Sequence, residues 1–563
     1  LDDAITYKLF SEGRTEAVFQ FESRGMQAML KDAKPSRLED LIILNALFRP
    51  GPMALIPSFV ARKHGREPVV YPHPLVADVL AETYGIMVYQ EQVMQTAQIL
   101  GGYSLGGADL LRRAMGKKKA DEMALHRSVF RQGAEKQSIS TDQADAIFDL
   151  MEEFAGYGFN KSHAAAYSLL AYQTAWIKVH HTAEFFCANM TVEMGDTDKL
   201  KILFDDAVSF GISFESPNVN TGEFVFIPLS TQSIRYGLGA IKGTGQLAIS
   251  EIVEVRREGG NFTSLFDFCA RIDRSKVNKR TVEALIKSGA FDCISLDRSS
   301  VLSSVDLAWE YAQSQANNLH QVGLFDAGHG AHSEEPHLKL SKPWTIRERL
   351  THEKSALGFH LSGHLFEEYA TEVRKFIKKP LSELTETKDP QWVVGMVKNY
   401  RFINTSRGKL YIFELDDMSD VFELSADEHI FNANKHNIVE DQLLVAQVKV
   451  QSDRRDPTQL RLSLIQSLSL TEARCRFGKY LHCNLQENIQ ELEEILRIDF
   501  VPHQDAHAGF QSGNTVKGLG IRVVFQLKHC EAEIALGDKM MFIPSEEAVQ
   551  KLVNGPLQGK AFI

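Results

Sequence analysis

Leu111-Arg112-Arg113-Ala114-Met115-Gly116-Lys117-Lys118-Lys119 and Gly156-Tyr157-Gly158-Phe159-Asn160-Lys161-Ser162-His163 are the two stretches on which the reading of this 563-residue chain turns. The first holds five cations in nine residues and no acid. Leu105-Gly106-Gly107-Ala108-Asp109-Leu110 ahead of it reads as a turn feeding a short helix, with Gly116 as the C-terminal cap. Arg112 and Arg113 then fall in a last turn, where the helix dipole favours cations. The three lysines fall near the start of a second helix, Ala120 to about Lys136. That is the wrong end for positive charge, and an external anion would supply the reason. The second stretch runs into a helical pattern from Ala164 to Val179. A helix start with unsatisfied amides, a lysine and a histidine is a ready anion site. On pattern alone, a solvated charged surface explains both stretches as well.

Composition restricts the possibilities. A chain of this length exceeds a single core, and three to five domains are expected. It is 44% hydrophobic and 24% charged, an ordinary globular mixture. The formal net charge of -11 excludes an all-basic surface, so any nucleic-acid contact must be a local positive groove. Six scattered cysteines form no C-x-x-C pair, which argues against a zinc site or a disulfide framework and for a reducing cytoplasm. The most membrane-like run, Ala164–Val179, is too short and too polar to span. The first residue is Leu1, not Met, which suggests a piece of a longer chain.

In order, residues 1–205 read as a compact helical region. Helices are expected up to Lys31, over Leu38–Leu47 (stopped by Arg49-Pro50-Gly51-Pro52), over Gln90–Leu100 and over Asp142–Phe154. The last should pack through Ala146, Ile147, Leu150, Met151 and Phe154. Arg49 is placed either to reach a phosphate or to hold its Pro-Gly turn. Residues 206–325 change character, beginning with a β-prone Phe224-Val225-Phe226-Ile227. Ile241-Lys242-Gly243-Thr244-Gly245-Gln246-Leu247-Ala248-Ile249 then resembles a helix-hairpin-helix motif. Lys242, Gly243, Thr244 and Gly245 would bring backbone amides to a DNA phosphate and read no sequence. A second, degenerate hairpin from Val277-Asn278-Lys279-Arg280 to Phe291 reads as scaffold. A helix from Val301 to about Gln315 follows. Residues 326–390 read as a polar linker with small helices.

From Gln391 the pattern is β. Residues 391–470 suggest a Greek-key barrel, an OB-fold. Tyr400, Arg401, Phe402, Arg407, Lys409 and Tyr411 would make a single-strand-binding face, against which Asp416, Asp417 and Asp420 count. Residues 471–563 read as a small α/β domain: helix Leu485–Leu496, strand Ile521–Leu527, strand Lys539–Ile543 and helix Ser545–Leu552. The fold class is therefore multidomain α+β: a helical domain, a helix-hairpin-helix domain, an OB-fold barrel and a small α/β C-terminal domain.

The two opening stretches, together with Leu47-Phe48-Arg49-Pro50-Gly51-Pro52 and Tyr84-Gly85-Ile86-Met87-Val88-Tyr89-Gln90-Glu91-Gln92, resemble the fingers of the C-family DNA polymerases, the bacterial replicative polymerase III alpha subunits. The resemblance continues more weakly to the C-terminus. It implies polymerase fingers over 1–205, with Arg112, Arg113, Lys117, Lys118, Lys119, Tyr157, Asn160, Lys161 and His163 facing the triphosphate of an incoming deoxynucleotide beside primer-template DNA. It implies a clamp-loader-docking role for 471–563, and a proofreading subunit bound to a region outside this chain. In the family the aspartates that hold magnesium lie in a palm, as an Asp-x-Asp pair and a third aspartate. No matching Asp-x-Asp stands ahead of these fingers, and Asp2-Asp3, Asp205-Asp206 and Asp416-Asp417 are adjacent pairs. The expectation is a chain with no catalytic residue or metal ligand of its own, inactive alone and part of a DNA polymerase when full length. An error-prone translesion relative and a non-catalytic DNA-binding scaffold are the competing readings.

Gln321-Val322-Gly323-Leu324-Phe325 resembles a sliding-clamp-binding peptide, in which Leu324 and Phe325 fill a pocket and Gln321 fixes register. The other reading is a buried anchor. Leu324→Ala and Phe325→Ala should each weaken clamp binding at least about tenfold without lowering the melting temperature. A destabilised Phe325→Ala whose folded fraction binds the clamp normally would establish the buried anchor instead.

Overall fold

Leu38–Leu47 is apolar on every side, and a helix of that kind must be a core helix. Seven of its ten residues are buried, and it packs against the helix Lys161–His180. Its one buried acid, Asp40, is satisfied by the Ser36 amide at 3.0 Å and by Arg37 at 3.2 Å. The computed structural model describes residues 1–117, 120–155, 158–320, 335–406, 408–452, 460–478, 480–485, 500–502, 519–527, 530–535 and 542–544. They divide into two compact units, residues 1–343 with 355–359, and residues 344–354 with 360–563.

In the first unit, helices surround the Leu38–Leu47 core. Gln90–Gly101 and Ala120–Glu135 pass backbone to backbone: a Cβ at Gly133 would lie 1.8 Å from the Gly101 carbonyl oxygen, so only glycine fits. The amphipathic helix Thr141–Ala155 buries Ala144, Ile147, Phe148, Met151 and Phe154. Of the expected stripe, Ile147, Met151 and Phe154 are buried and Leu150 packs half-buried against the core, whereas Ala146 is exposed. A small sheet follows, with Ser233–Arg235 between a parallel Ser213–Glu215 and an antiparallel Ile227–Ser230. Only the last residue of Phe224–Ile227 joins it; Phe226 turns into the core edge-on to Tyr236. The helix Gln246–Gly259 buries Ala248, Ile249, Ile252 and Val253, as its spacing predicts. The expected helix from Val301 is two, Arg298–Ser303 and Val305–His320, broken at Ser304.

One interaction ties three distant segments of this unit together. Lys178 is fully buried and donates to the Arg14 and Glu16 carbonyls at 3.0 and 2.7 Å and to Asp206 at 2.6 Å. Burial pulls the lysine pKa down and pushes the aspartate up, while each charge opposes the shift of the other. Loss of one member of such a pair strands a buried charge.

The second unit is built on a closed five-stranded barrel, Gln391–Thr405, Gly408–Asp416, Val421–Asp427, Leu460–Leu468 and Leu443–Ser452 in spatial order. The parallel pairing of Val421–Asp427 with Leu460–Leu468 closes it, and a short helix, Glu428–Asn434, follows the third strand. Val393, Val397, Phe413 and Val448 fill the interior. Val394, Met396, Val445 and Leu468 face outward, where Leu350, Phe366, Tyr369 and Val373 cover them. Burial on both faces explains the unbroken apolar run Val393-Val394-Gly395-Met396-Val397. The helices Ile346–Leu357 and Glu367–Phe376, expected in a linker, thus contribute to barrel packing.

Beyond the barrel, Gly520–Leu527 lies between a parallel Tyr480–Leu485 and an antiparallel Cys530–Ala535, and Phe500–Pro502 pairs with Phe542–Pro544. Leu485 therefore ends a strand and does not begin a helix. Residues 486–496 and 545–552 of the two expected helices lie outside the described residues.

Lys178→Ala should destabilise the protein by about 3–5 kcal/mol, whereas Lys178→Met combined with Asp206→Leu should be near neutral; thermal denaturation of the three proteins checks this. A pH effect belongs to the second unit. Burial, with Lys354, Lys398 and His364 nearby, pushes His360 down to about 4, against the pull of Asp441. Folded His360 stays neutral where an unfolded histidine takes up a proton, so stability is full above about pH 6.5 and falls as pH drops toward about 4. Asp416 acts lower: burial raises its pKa, but His364 and Lys398 outweigh that and hold it well down. Its contribution is present above about pH 4 and lost below that. His360→Gln should remove the loss between about pH 6.5 and about 4 and keep the steeper loss below it, measured as melting temperature against pH.

Candidate nucleotide and DNA interface

Ile86–Tyr89 is extended and meets Gly158-Phe159, which lie far along the chain. Phe159 donates its amide to the Val88 carbonyl at 3.2 Å and accepts from the Gln90 amide at 2.9 Å. Arg112, Asn160, Lys161 and His163, all expected at the triphosphate, lie around this junction. The helix that follows begins at Lys161, three residues before its expected start, because Asn160 caps it: the Asn160 carboxamide oxygen accepts from the His163 amide at 2.8 Å. Glu91 braces the same turn, its carboxylate accepting from the Lys161 amide at 3.0 Å and from the Asn160 side chain at 3.0 Å. The Lys161 ammonium reaches Glu82 at 2.7 Å. His163 stands exposed between rings, 5.4 Å from Phe159 and 4.4 Å from Tyr167. The Arg49 guanidinium lies over Phe159 at 4.3 Å and donates to the Ala46 carbonyl. Its place is both structural and beside the turn.

Arg112 comes from the other side. Its helix is continuous over Leu105–Lys117, so Gly116 lies inside it and is not a cap. Arg112 and Arg113 accordingly lie ahead of the last described turn, at i+3 and i+4 from Asp109. Both pair with it at 2.8 Å, and the Arg112 contact holds the Asp109 carboxyl below its usual range. Arg112 also donates to the Gln90 carboxamide oxygen at 3.2 Å, and the Gln90 amide nitrogen donates to the Gly158 carbonyl at 3.0 Å. Arg112, Asn160, Lys161 and His163 are thus gathered around Gln90 and Glu91, while Arg113 is 61% exposed at the edge. The Lys117 side chain, Lys118, Lys119 and Tyr157 lie outside the described residues. Gln90 and Glu91 stood in the sequence without a role; polar residues opening a helix look like ordinary first-turn residues until their partners are known.

The hairpin turn is exposed at Lys242, Gly243 and Gly245. Gly243 has φ +87°, a conformation glycine adopts without strain. Gly245 opens the helix Gln246–Gly259 with no side chain capping the first amides. Thr244 turns inward, its hydroxyl donating to the Leu238 and Ile241 carbonyls. The Thr281 hydroxyl donates to the Gly243 carbonyl at 3.2 Å, so the second hairpin supports the first.

On the barrel, the register shifts between Lys398 and Arg401, and the strand beyond is exposed. Tyr411 stacks on Phe431 at 4.0 Å, Tyr400 joins them, and Lys409 lies over an exposed Phe402. Of the three acids that argued against this face, Asp416 and Asp417 are buried and paired, while Asp420 remains exposed. Asp416 is buried against Lys398 and His364, and Asp417 against Arg374 and the Leu381 amide. Arg401 pairs with Glu423, and Arg407 lies outside the described residues. Gln321, Leu324 and Phe325 lie outside them as well.

Magnesium has no place among the described residues. No three His, Cys, Asp or Glu side chains are grouped to hold a metal ion. Asp3 caps a helix and meets His180, and Asp206 meets Lys178. The residues described do not fit a two-metal centre. Nor is any described helix long and apolar enough to cross a membrane.

Helical fingers, a helix-hairpin-helix turn and a closed five-stranded barrel in this order define the class, a C-family polymerase architecture from the fingers onward. Residues 1–138 match the family model of the bacterial DNA polymerase III alpha subunit finger domain, and residues 211–301 match the helix-hairpin-helix motif. The chain is similar to the DNA polymerase III subunit alpha of Neisseria meningitidis, 47% identical over 506 residues, which are 89% of this chain and 44% of that protein. It is 43% identical to that of Pseudomonas aeruginosa over 518 residues, 87% of this chain and 44% of the relative. To that of Vibrio cholerae it is 39% identical over 567 residues, 98% of this chain and 48% of the relative. The chain belongs to the DNA polymerase III alpha subunit family, and it spans about half the length of the curated relatives it matches.

Proposed function

We propose that this chain serves template-directed DNA synthesis by the bacterial replicative polymerase, binding the incoming nucleotide and the primed template for a catalytic palm it does not itself contain. The observation that carries this is the gathering of Arg112, Asn160, Lys161 and His163 around Gln90 and Glu91. Arg112 is held by a local i, i+3 ion pair near the surface, where water screens such pairs and leaves them weak. A triphosphate offers a larger, localised negative charge, so the arginine can turn from Asp109 to it at small cost. His163 and Arg112 then stabilise charge as it develops on the transferred phosphoryl group, while Arg113 and Lys117–Lys119 supply the surrounding positive field. The Gly243–Gly245 turn holds a DNA phosphate without reading sequence, and the exposed Tyr400 and Phe402, backed by the buried Tyr411, offer a platform to the single-stranded template.

In this reading residues 1–205 are the fingers, 206–325 the hairpin and clamp-binding region, 326–390 a connection, 391–470 the OB-fold and 471–563 the clamp-loader-docking domain. Magnesium is held by palm residues of the complete enzyme, the proofreading subunit binds outside this chain, and the enzyme works in the cytoplasm. The clamp peptide Gln321–Phe325 favours the replicative over the translesion role.

In the complete enzyme, Arg112→Ala and His163→Ala should lower steady-state incorporation at saturating primed template more than they lower DNA binding. Single alanines at Lys117, Lys118 and Lys119 should each do less. If all these variants incorporate nucleotide normally, the charged stretches are solvated surface. This chain alone should bind primed DNA in a steeply salt-dependent manner and extend no primer; extension by it would relocate the active site.

A further inference from the structure

The segment Tyr89-Gln90-Glu91-Gln92 has no role in the chemistry just proposed, yet both halves of the anion site are fastened to it. Gln90 uses both ends of its side chain. The oxygen accepts from Arg112 at 3.2 Å and the nitrogen donates to the Gly158 carbonyl at 3.0 Å, so the carboxamide spans the gap between the arginine helix and the glycine turn. Its backbone amide adds the bond to Phe159 at 2.9 Å. Glu91 is turned the other way and holds the Lys161 amide and the Asn160 side chain with one carboxylate. Gln92 anchors the segment from below, accepting from the Val88 and Tyr89 amides at 2.9 and 3.1 Å and donating to Thr83 at 2.9 Å. A second donation, to the Val79 carbonyl at 3.2 Å, completes the set, and this buried, satisfied side chain fixes the base from which Gln90 and Glu91 project.

We propose that Gln90 and Glu91 are positioning residues for nucleotide binding: Gln90 sets the direction of the Arg112 guanidinium against the Gly158–His163 turn, and Glu91 holds that turn as the start of a helix. The proposal rests on the reading that Arg112 and His163 meet the triphosphate. Neither residue needs to touch the nucleotide. Without the carboxamide, Arg112 keeps only Asp109, on its own helix, as a described hydrogen-bond partner, and the cation is no longer referenced to the turn. Without the carboxylate, the Lys161 amide and the Asn160 side chain lose the group that fixes them, although Asn160 can still cap His163. Glu91 is also an anion beside a site for anions. Its positioning role and its repulsion of a triphosphate therefore push affinity in opposite directions, which lets an experiment separate them.

The test is a double-mutant cycle on this chain with primed DNA present, reading dATP affinity by titration and folding by melting temperature. Arg112→Ala should weaken dATP binding about tenfold, and Gln90→Met should weaken it nearly as much, with a melting temperature within a few degrees of the parent. The double variant should bind no worse than Arg112→Ala alone, because Gln90 acts through Arg112. Glu91→Gln should weaken binding as well. If Gln90→Met proves unstable, Gln90→Asn, too short to span the gap, takes its place in the cycle.

Additive losses, or a Gln90 variant that binds dATP normally while Arg112→Ala does not, would overturn the positioning role and leave the nucleotide reading standing. Tighter binding by Glu91→Gln would show that Glu91 repels the triphosphate and does not position its site. An Arg112→Ala protein indistinguishable from the parent, or a parent that does not bind dATP, would overturn the nucleotide reading and this proposal with it.

Discussion

Two backbone hydrogen bonds, Phe159 to Val88 and Gln90 to Phe159, join segments far apart in the chain, and the candidate site exists only because of them. Each such bond adds a net contribution of about 0.5–1.5 kcal/mol, too little to explain the fold. Their effect is geometric. They bring the start of the helix Lys161–His180 beside the start of the helix Gln90–Gly101, and the side chains at both starts then find one another. Behind this junction the apolar helix Leu38–Leu47 supplies the rigid wall, packing against the same histidine-bearing helix whose far end is fixed by the buried Lys178. The catalytic proposal thus rests on hydrophobic burial at one remove.

Charge is arranged in keeping with that. The described cations of the fingers site have internal partners: Arg112 and Arg113 share Asp109, and Lys161 takes Glu82. In a chain with formal net charge -11, such pairing keeps the cations directed and spares them mutual repulsion. The pairs are exposed enough to be exchanged for a stronger anion. The deeply buried pair Lys178–Asp206 is of a different kind, since neither partner can leave without stranding the other.

The sequence carried the architecture well where local chemistry decides it. Pro50 and Pro52 stop a helix in any context, the Gly243-Thr244-Gly245 turn needs a conformation glycine adopts without strain, and the alternation within Leu410–Leu415 belongs to a strand. It misled where a distant partner decides. Gly116 reads as a cap because glycine usually ends helices, yet the Leu105–Lys117 helix continues through it. Leu485 looks helical in a polar neighbourhood but pairs with a strand about forty residues on. Asp416 and Asp417 read as repulsive acids on the barrel face, and only the fold shows them consumed by Lys398 and Arg374. The site divides in the same way: its cations were legible as a charge pattern, whereas Gln90 and Glu91 acquire meaning only from the residues they touch.

Amide hydrogen–deuterium exchange on this chain bound to primed DNA, with and without dATP, tests the central claim most directly, because it reports which backbone the nucleotide meets. The account predicts added protection in the peptides covering residues 86–92, 105–117 and 158–163, and little change in the barrel strands. Protection confined to the barrel or to the hairpin turn at Gly243–Gly245, with the fingers unchanged, would contradict it.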